Sequence, residues 1–226
     1  MRNALEVDSG LPKIRRVVNA ASRSTSEVCS PGAIASVEGH WLIPEPQDSS
    51  DTKVMIDGKS APILFASTTR VDFLCPAVPG GTPMQLVLQT DRGATLPFEV
   101  ISSAAAPGIF SVDGSGSGQG VVLKATGDSL AMIRNHRYAS RPARTGEPLM
   151  IYVTGLSDTS TVTVKIGDRT LPADSVMSVE GNPGLVSVTV LTPDNIIGNQ
   201  VPCSLWTELP GGITATSNTV SIAIER

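Results

Sequence analysis

Three cysteines, two histidines and two tryptophans are the side chains of this 226-residue chain with the most chemistry to offer. The thiols are Cys29, Cys75 and Cys203, an odd and sparse set with no CxxC pair, which fits neither a zinc site nor a disulfide scaffold. His40 and His136 stand far apart in the chain. No Ser, Cys or Asp has a partner visible in sequence for nucleophilic work. Paired carboxylates need only meet in space and stay open. The residues therefore predict no catalytic site, no metal site and no cofactor.

The segment Asp113–Gly120 reads DGSGSGQG. It is not a P-loop, because the lysine is missing and no long helix follows, and it fails GxGxxG and GxSxG in register. One acidic ligand is too few for calcium. Its expected form is a flexible hairpin tip. Arg134, Arg137, Arg141 and Arg144 form a basic cluster with Tyr138. Such a cluster contacts an anionic polymer, for example an acidic polysaccharide, or it is an inter-module linker whose arginines pair with nearby carboxylates; the second reading is preferred. Trp41 follows His40 at a strand end, where it stacks on a ligand or caps the sandwich. Trp206 is expected to face outward and is the better candidate for a contact.

The elements that must position these residues are strands. Gly (21) and Pro (17) are plentiful, aromatics are only 4% and charged residues 17%. That is a composition of short strands and many turns. The net charge of −4 lacks the basic field of a nucleic-acid binder. No apolar run is long enough to span a bilayer, and Met1–Gly10 lacks the apolar region of a signal peptide.

A repeat of domain length organises the chain. Pro31–Leu42 aligns without a gap on Thr145–Leu156, so that Gly32 meets Gly146 and Val37 meets Ile151. Val54 then matches Val164, Ala61-Pro62 matches Leu171-Pro172, and Val71–Pro76 matches Val188–Pro193. Pro83–Leu88 is set on Pro202–Thr207, which pairs Met84 with Cys203 and Val87 with Trp206. Phe98–Val100 matches Val220–Ile222. Alternating apolar positions mark half-buried strands. The same strand order twice predicts an all-β fold of two tandem immunoglobulin-like sandwiches. The expected division is a tail or linker at 1–11, a first module at 12–103 and a second at 104–226. Leu130–Tyr138 is the one stretch expected to form a turn or two of helix.

Val17–Ser22, Pro31-Gly32, Ala61-Pro62, Val71–Phe73 with Pro76, Ala106–Phe110, Gly118–Gly120, Pro142–Glu147 and Thr154–Leu156 occur in an order that resembles the paired C-terminal domain of large secreted proteins of Acidobacteria, the Solibacter-type C-terminal domain. The resemblance covers about Val17 to Ile224. It implies a TIG-like immunoglobulin-like fold, an extracellular or cell-surface setting, and an appendage to a longer polypeptide. It brings no functional residues with it. Arg23, Thr145 and Val153 depart from its pattern. In such a sheet the start of the strand after Cys29 lies beside the end of the strand closing at Cys75. Those two thiols either form a disulfide or stay separate and buried. The function expected is a non-catalytic structural, display or adhesion module, with a polysaccharide or another surface protein as partner. A carbohydrate-binding module is the first alternative, and a hydrolase with its site at the module junction the second.

Overall fold

In the computed structural model, residues 10–43, 51–124, 127, 129–156, 161–209 and 211–226 are described. The first half contributes β1 (Lys13–Asn19), β2 (Ile34–His40), β3 (Lys53–Ile56), β4 (Lys59–Ala61), β5 (Ile63–Ala66), β6 (Arg70–Leu74), β7 (Pro83–Thr90), β8 (Gly93–Ala94) and β9 (Phe98–Ile101). They make two sheets, β1-β2-β6-β5 and β4-β3-β7-β8, with β9 also on β7. The alternation read from the sequence is visible in burial. In β7 the side chains of Met84, Leu86 and Leu88 are buried and those of Gln85 and Gln89 exposed. Val17, Val37, Val54, Val71, Phe73, Leu86 and Val100 meet in one apolar core between the sheets.

The second half repeats this plan with β10 (Gly108–Ile109), β11 (Val122–Lys124), β12 (Leu130–Ala131), β13 (Ser140–Arg141), β14 (Ala143–Arg144), β15 (Pro148–Thr154), β16 (Thr161–Ile166), β17 (Arg169–Pro172), β18 (Ser175–Ser178), β19 (Val186–Leu191), β20 (Gly198–Leu209), β21 (Ile213–Thr216) and β22 (Val220–Glu225). One sheet runs β11-β15-β19-β18, extended by β12 and β13, and the other runs β22-β20-β16-β17. Ile109, Val122, Ile151, Val164, Val188, Leu205 and Ile222 form a second, separate core. The protein is thus all-β, two immunoglobulin-like sandwiches in tandem, and no helix among the described residues is long and apolar enough to cross a membrane.

The cross-strand registers are the same in both copies. Val37 opposes Val71 as Ile151 opposes Val188, and Val54 opposes Ala61 as Val164 opposes Leu171. One alignment needs correction. Val54 opposes Leu88 and Val164 opposes Leu205, so Leu86 is the counterpart of Cys203 and Gln89 of Trp206. The expected pairings, Met84 with Cys203 and Val87 with Trp206, are each two residues out. A slip of two preserves the face of every side chain in a strand. Cys203 is accordingly fully buried, and burial pushes its thiol up to about 12.

The stretch expected as helix instead starts as strand. Leu130 opposes Leu123 and Ser140, and Leu130, Ala131 and Met132 are buried in succession rather than at helical spacing. The hairpin tip is also not free. Asp113 accepts hydrogen bonds from the Ser115 amide and hydroxyl (3.0 and 2.7 Å), Ser111 Oγ accepts one from the Gly116 amide, and Asn218 Nδ2 donates to the Gly116 carbonyl. A Cβ on Gly116 would lie 2.5 Å from the Ser22 carbonyl of the first sandwich. The loop is therefore pressed onto its neighbour.

Candidate functional site

Where the two sandwiches meet, small residues and hydroxyls make the contact. Ile34, at the start of β2, donates its amide to Thr154 Oγ1 (2.8 Å), and that hydroxyl donates to the Gly184 carbonyl (2.7 Å). Ser30 Oγ and the Ala106 amide both donate to the Gly155 carbonyl (3.2 and 3.0 Å), and Asn19 Nδ2 donates to the Ala106 carbonyl (2.9 Å). Thr154 and Asn19 are completely buried. A buried polar group costs stability unless it is paired, so a seam of this kind holds only when its partners stay in place. The glycines are required by closeness. A Cβ on Gly184 would sit 2.7 Å from both Ile34 and Leu74, and one on Gly155 would sit 1.9 Å from the Ala106 carbonyl oxygen.

A groove crosses this seam. Two adjoining hollows of about 310 and 460 Å³ share Phe110, Asn182 and Leu185. Phe65 of β5, with half its surface exposed, walls the first hollow, and Tyr152 of β15 walls the second. Three aromatic rings thus gather in a chain with 4% aromatic residues. Junctions between units are where ligand sites concentrate, usually with apolar walls and a few polar groups. The polar end here is Asp72, which accepts from Arg70 Nε and Nη2 (2.7 and 2.6 Å) and from Ser36 Oγ (2.5 Å). The Arg70 guanidinium in turn lies 5.6 Å from the centre of the Phe65 ring. Asp72 is thus hydrogen-bonded on both oxygens.

Beside it Arg16 and Arg23 both pair with Glu38. Three arginines against two carboxylates leave this face of the first sandwich cationic. Arg23 adopts a left-handed backbone (φ 64°), and its Nη1 is buried with no hydrogen-bond partner among the described residues. Burial, then the charges of Arg70 and Arg16, lower its pKa.

The residues singled out by type lie elsewhere, and they do not converge. Trp206 is half-buried on β20, opposite Thr163 and Thr216. Trp41 is half-buried just past the far end of β2, about 20 Å along the strand from the seam. Its φ of 57° is the left-handed conformation that its counterpart Gly155 also adopts, at 77°. Arg134 and Arg137 are exposed, with the Arg137 guanidinium 5.6 Å from the centre of the Tyr138 ring. Arg141 forms a two-pronged pair with Glu147, and Arg144 reaches Glu225 at 3.2 Å. These arginines sit inside the second sandwich, where Ala143 pairs with Ile224. They are not an inter-module linker, and the chain crosses the seam near Ala106 instead.

Cys29 and Cys75 are joined by a disulfide, with Cα atoms 5.7 Å apart. It lies at the seam end of the first core, beside Gly32, whose amide donates to the Cys75 carbonyl (3.3 Å). No group of three or more His, Cys, Asp or Glu that could hold a metal occurs among the described residues.

No family model matches the chain, and no curated protein matches it in sequence. Solved structures that it resembles include SGBP-B of the Bacteroides ovatus mixed-linkage glucan utilization locus in complex with a mixed-linkage heptasaccharide (13% identity over 89% of this chain and 44% of that one, TM-score 0.39). SGBP-B from a complex xyloglucan utilization locus in Bacteroides uniformis is 17% identical over 94% of this chain and 49% of its own (TM-score 0.28). Domains 5–6 of the S-layer protein SbsC are 11% identical over 95% and 98% (TM-score 0.33). The chain spans less than half of either SGBP-B. At such identities and scores the likeness carries no argument about ligand, and the fold class rests on the strands and registers themselves.

Proposed function

We propose that this is a non-catalytic tandem module of an extracytoplasmic protein, built of units 12–103 and 104–226 held in a fixed relation. Its role is that of a structural, surface-display or adhesion appendage of a longer polypeptide. The Thr154 hydroxyl carries the reading, because a buried hydroxyl that both accepts from one unit and donates within the other makes the pair act as one body. The disulfide supports the compartment, since such bonds persist in oxidising surroundings. A junction glycosidase would draw its two carboxylates from Asp72 and Glu38, and both are held by arginines, Asp72 by Arg70 and Glu38 by Arg16 and Arg23. Thr154→Val tests the role. It strands the Ile34 amide and the Gly184 carbonyl at about 1–3 kcal/mol each. Calorimetry should then resolve two unfolding transitions where the parent shows one, and the radius of gyration from X-ray scattering should grow. A variant that unfolds and scatters like the parent would remove the basis for a fixed pair.

A second reading, carbohydrate binding, is favoured by one observation: Phe65, Phe110 and Tyr152 line one groove. Amphipathic rings pack against the apolar faces of sugars. Affinity electrophoresis in a neutral β-glucan gel should show retardation that falls roughly tenfold per ring in Phe65→Ala and Tyr152→Ala. Retention lost in Trp206→Ala but kept in both seam variants would place the contact on the outer sheet instead.

A further inference from the structure

Asn182 lies where the two hollows of the seam groove join, and it lines both. It stands on the turn between β18 and β19, and that turn is held from several sides. The Asn182 amide donates to the Val179 carbonyl and the Leu185 amide to the Asn182 carbonyl, both at 3.1 Å. Pro183 fixes the backbone torsion next to it. Gly184 sits against Ile34 and Leu74 of the first sandwich, and its carbonyl accepts from the Thr154 hydroxyl (2.7 Å). The seam therefore sets Asn182 in place before any ligand arrives, which spares a ligand the cost of ordering it.

Its side chain brings the groove a free donor and a free acceptor. Nδ2 donates to the Glu180 carbonyl (3.2 Å), and the second N–H and the carboxamide oxygen have no partner among the described residues. The neighbouring polar groups are engaged: Asp72 is paired with Arg70, and Ser111 Oγ accepts from the Gly116 amide. No charged side chain other than Asp72 lines either hollow, so an uncharged ligand suits these walls. A donor and an acceptor on one flat amide match two adjacent hydroxyls, each of which both donates and accepts. Linkage decides which sugars offer such a pair beside the Phe65, Phe110 and Tyr152 rings. A glucose unit joined through positions 1 and 4 keeps free hydroxyls at 2 and 3, which are neighbours. One joined through positions 1 and 3 keeps those at 2, 4 and 6, of which no two adjoin.

We propose that Asn182 sets the linkage specificity of this groove, binding the adjacent 2- and 3-hydroxyls of a neutral 1,4-linked glycan while the rings pack on the sugar faces. The inference rests on the carbohydrate reading of the groove and adds to it a residue and a linkage. Two glucose hexamers, one β-1,4-linked and one β-1,3-linked, are titrated calorimetrically into the full chain. The parent should bind the 1,4-linked hexamer about tenfold more tightly. Asn182→Ala should weaken the 1,4-linked hexamer by about that factor and leave the 1,3-linked one within about threefold of the parent, so that the preference disappears. Asn182→Asp, which keeps the shape and the acceptor but not the donors, should fall between. Phe65→Ala should weaken both hexamers alike and keep their ratio. That ratio does not depend on the fraction of chain folded, so a destabilised variant still reports on it. The inference is overturned if the parent binds the two hexamers equally or prefers the 1,3-linked one, or if the preference survives in Asn182→Ala. Where Phe65→Ala still weakens binding in those cases, the carbohydrate reading stands without it. If neither hexamer binds, the reading and the inference fall together.

Discussion

Replacing both bridged cysteines, Cys29→Ala with Cys75→Ala, is the perturbation whose size can be worked furthest. The bond closes a sequence separation of 46, for which loop-closure entropy gives about 4 kcal/mol at 25 °C. Both residues are buried, so truncation adds a cavity cost on the order of 1 kcal/mol. The backbone around them stays bonded without the bridge: the Cys75 amide donates to Ala33 (2.8 Å) and the Ser103 amide to the Cys29 carbonyl (2.7 Å). The loss is therefore one of stability, not of fold. Its thermal expression depends on what unfolds together. About 4 kcal/mol lowers the midpoint by roughly 16–32 °C in a unit of 60–100 residues, but by about half that in one of 150–250. Calorimetry of the oxidised parent, the reduced parent and the double variant reads both quantities. A drop near 10 °C in a single transition means that the seam couples the sandwiches. A larger drop confined to one of two transitions means that it does not. A midpoint lowered by less than about 3 °C, with the unfolding enthalpy unchanged, would refute the entropic reasoning.

Two further outcomes follow from local geometry. Gly155→Ala places a methyl against the Ala106 carbonyl at a φ of 77°, so the denaturant midpoint should fall by the equivalent of 3 kcal/mol or more, while Gly146→Ala, at a similar φ with open space around it, should cost about 1–2 kcal/mol. For Glu147, burial raises the pKa, but the hydrogen bonds from Arg141 and the Arg144 amide outweigh it and the net shift is downward. A carboxylate depressed on folding contributes stability above its unfolded value, about 4.3, that is lost as pH falls through the lower folded value. Acid unfolding followed by circular dichroism should therefore lose part of its slope below about pH 4.3 in Glu147→Gln, and a slope identical to the parent would remove the pairing from the account.

The sandwiches were readable because alternation is a property of each strand by itself. Val37, Val54, Val71 and their counterparts announce buried faces before any partner is known, and their spacing carries the fold class. The two-residue error on β7 and β20 shows how far such reading reaches. It misassigned Cys203 and Trp206 to the wrong counterparts yet kept both on the right face, because the period of a strand is two. The Leu130–Tyr138 stretch failed for a related reason. Four consecutive apolar residues, Leu130–Ile133, fit a buried strand or a helix equally, and the contacts with Leu123 and Ser140 that decide it come from elsewhere in the chain. The groove was not readable at all. Phe65, Phe110 and Tyr152 belong to separate segments and become neighbours only after two sandwiches have formed and met.

The seam also explains why the two copies differ most where they are otherwise alike. The residue after the second strand's end turns left-handed in both, with φ 57° at Trp41 and 77° at Gly155. In the second sandwich that corner faces the Ala106 carbonyl, and any Cβ would strike it. Glycine is therefore required there by contact as well as by backbone. In the first sandwich the same corner lies at the end away from the seam, and a large ring can stand on it. A non-glycine residue in that conformation costs roughly 1–2 kcal/mol, which persists only where surrounding contacts offset it. The repeat thus preserves the turn and varies the side chain with the neighbour. A single chain carries one corner shaped by docking and one that bears Trp41, so among the described residues the Gly155 contact has no equivalent on the first sandwich.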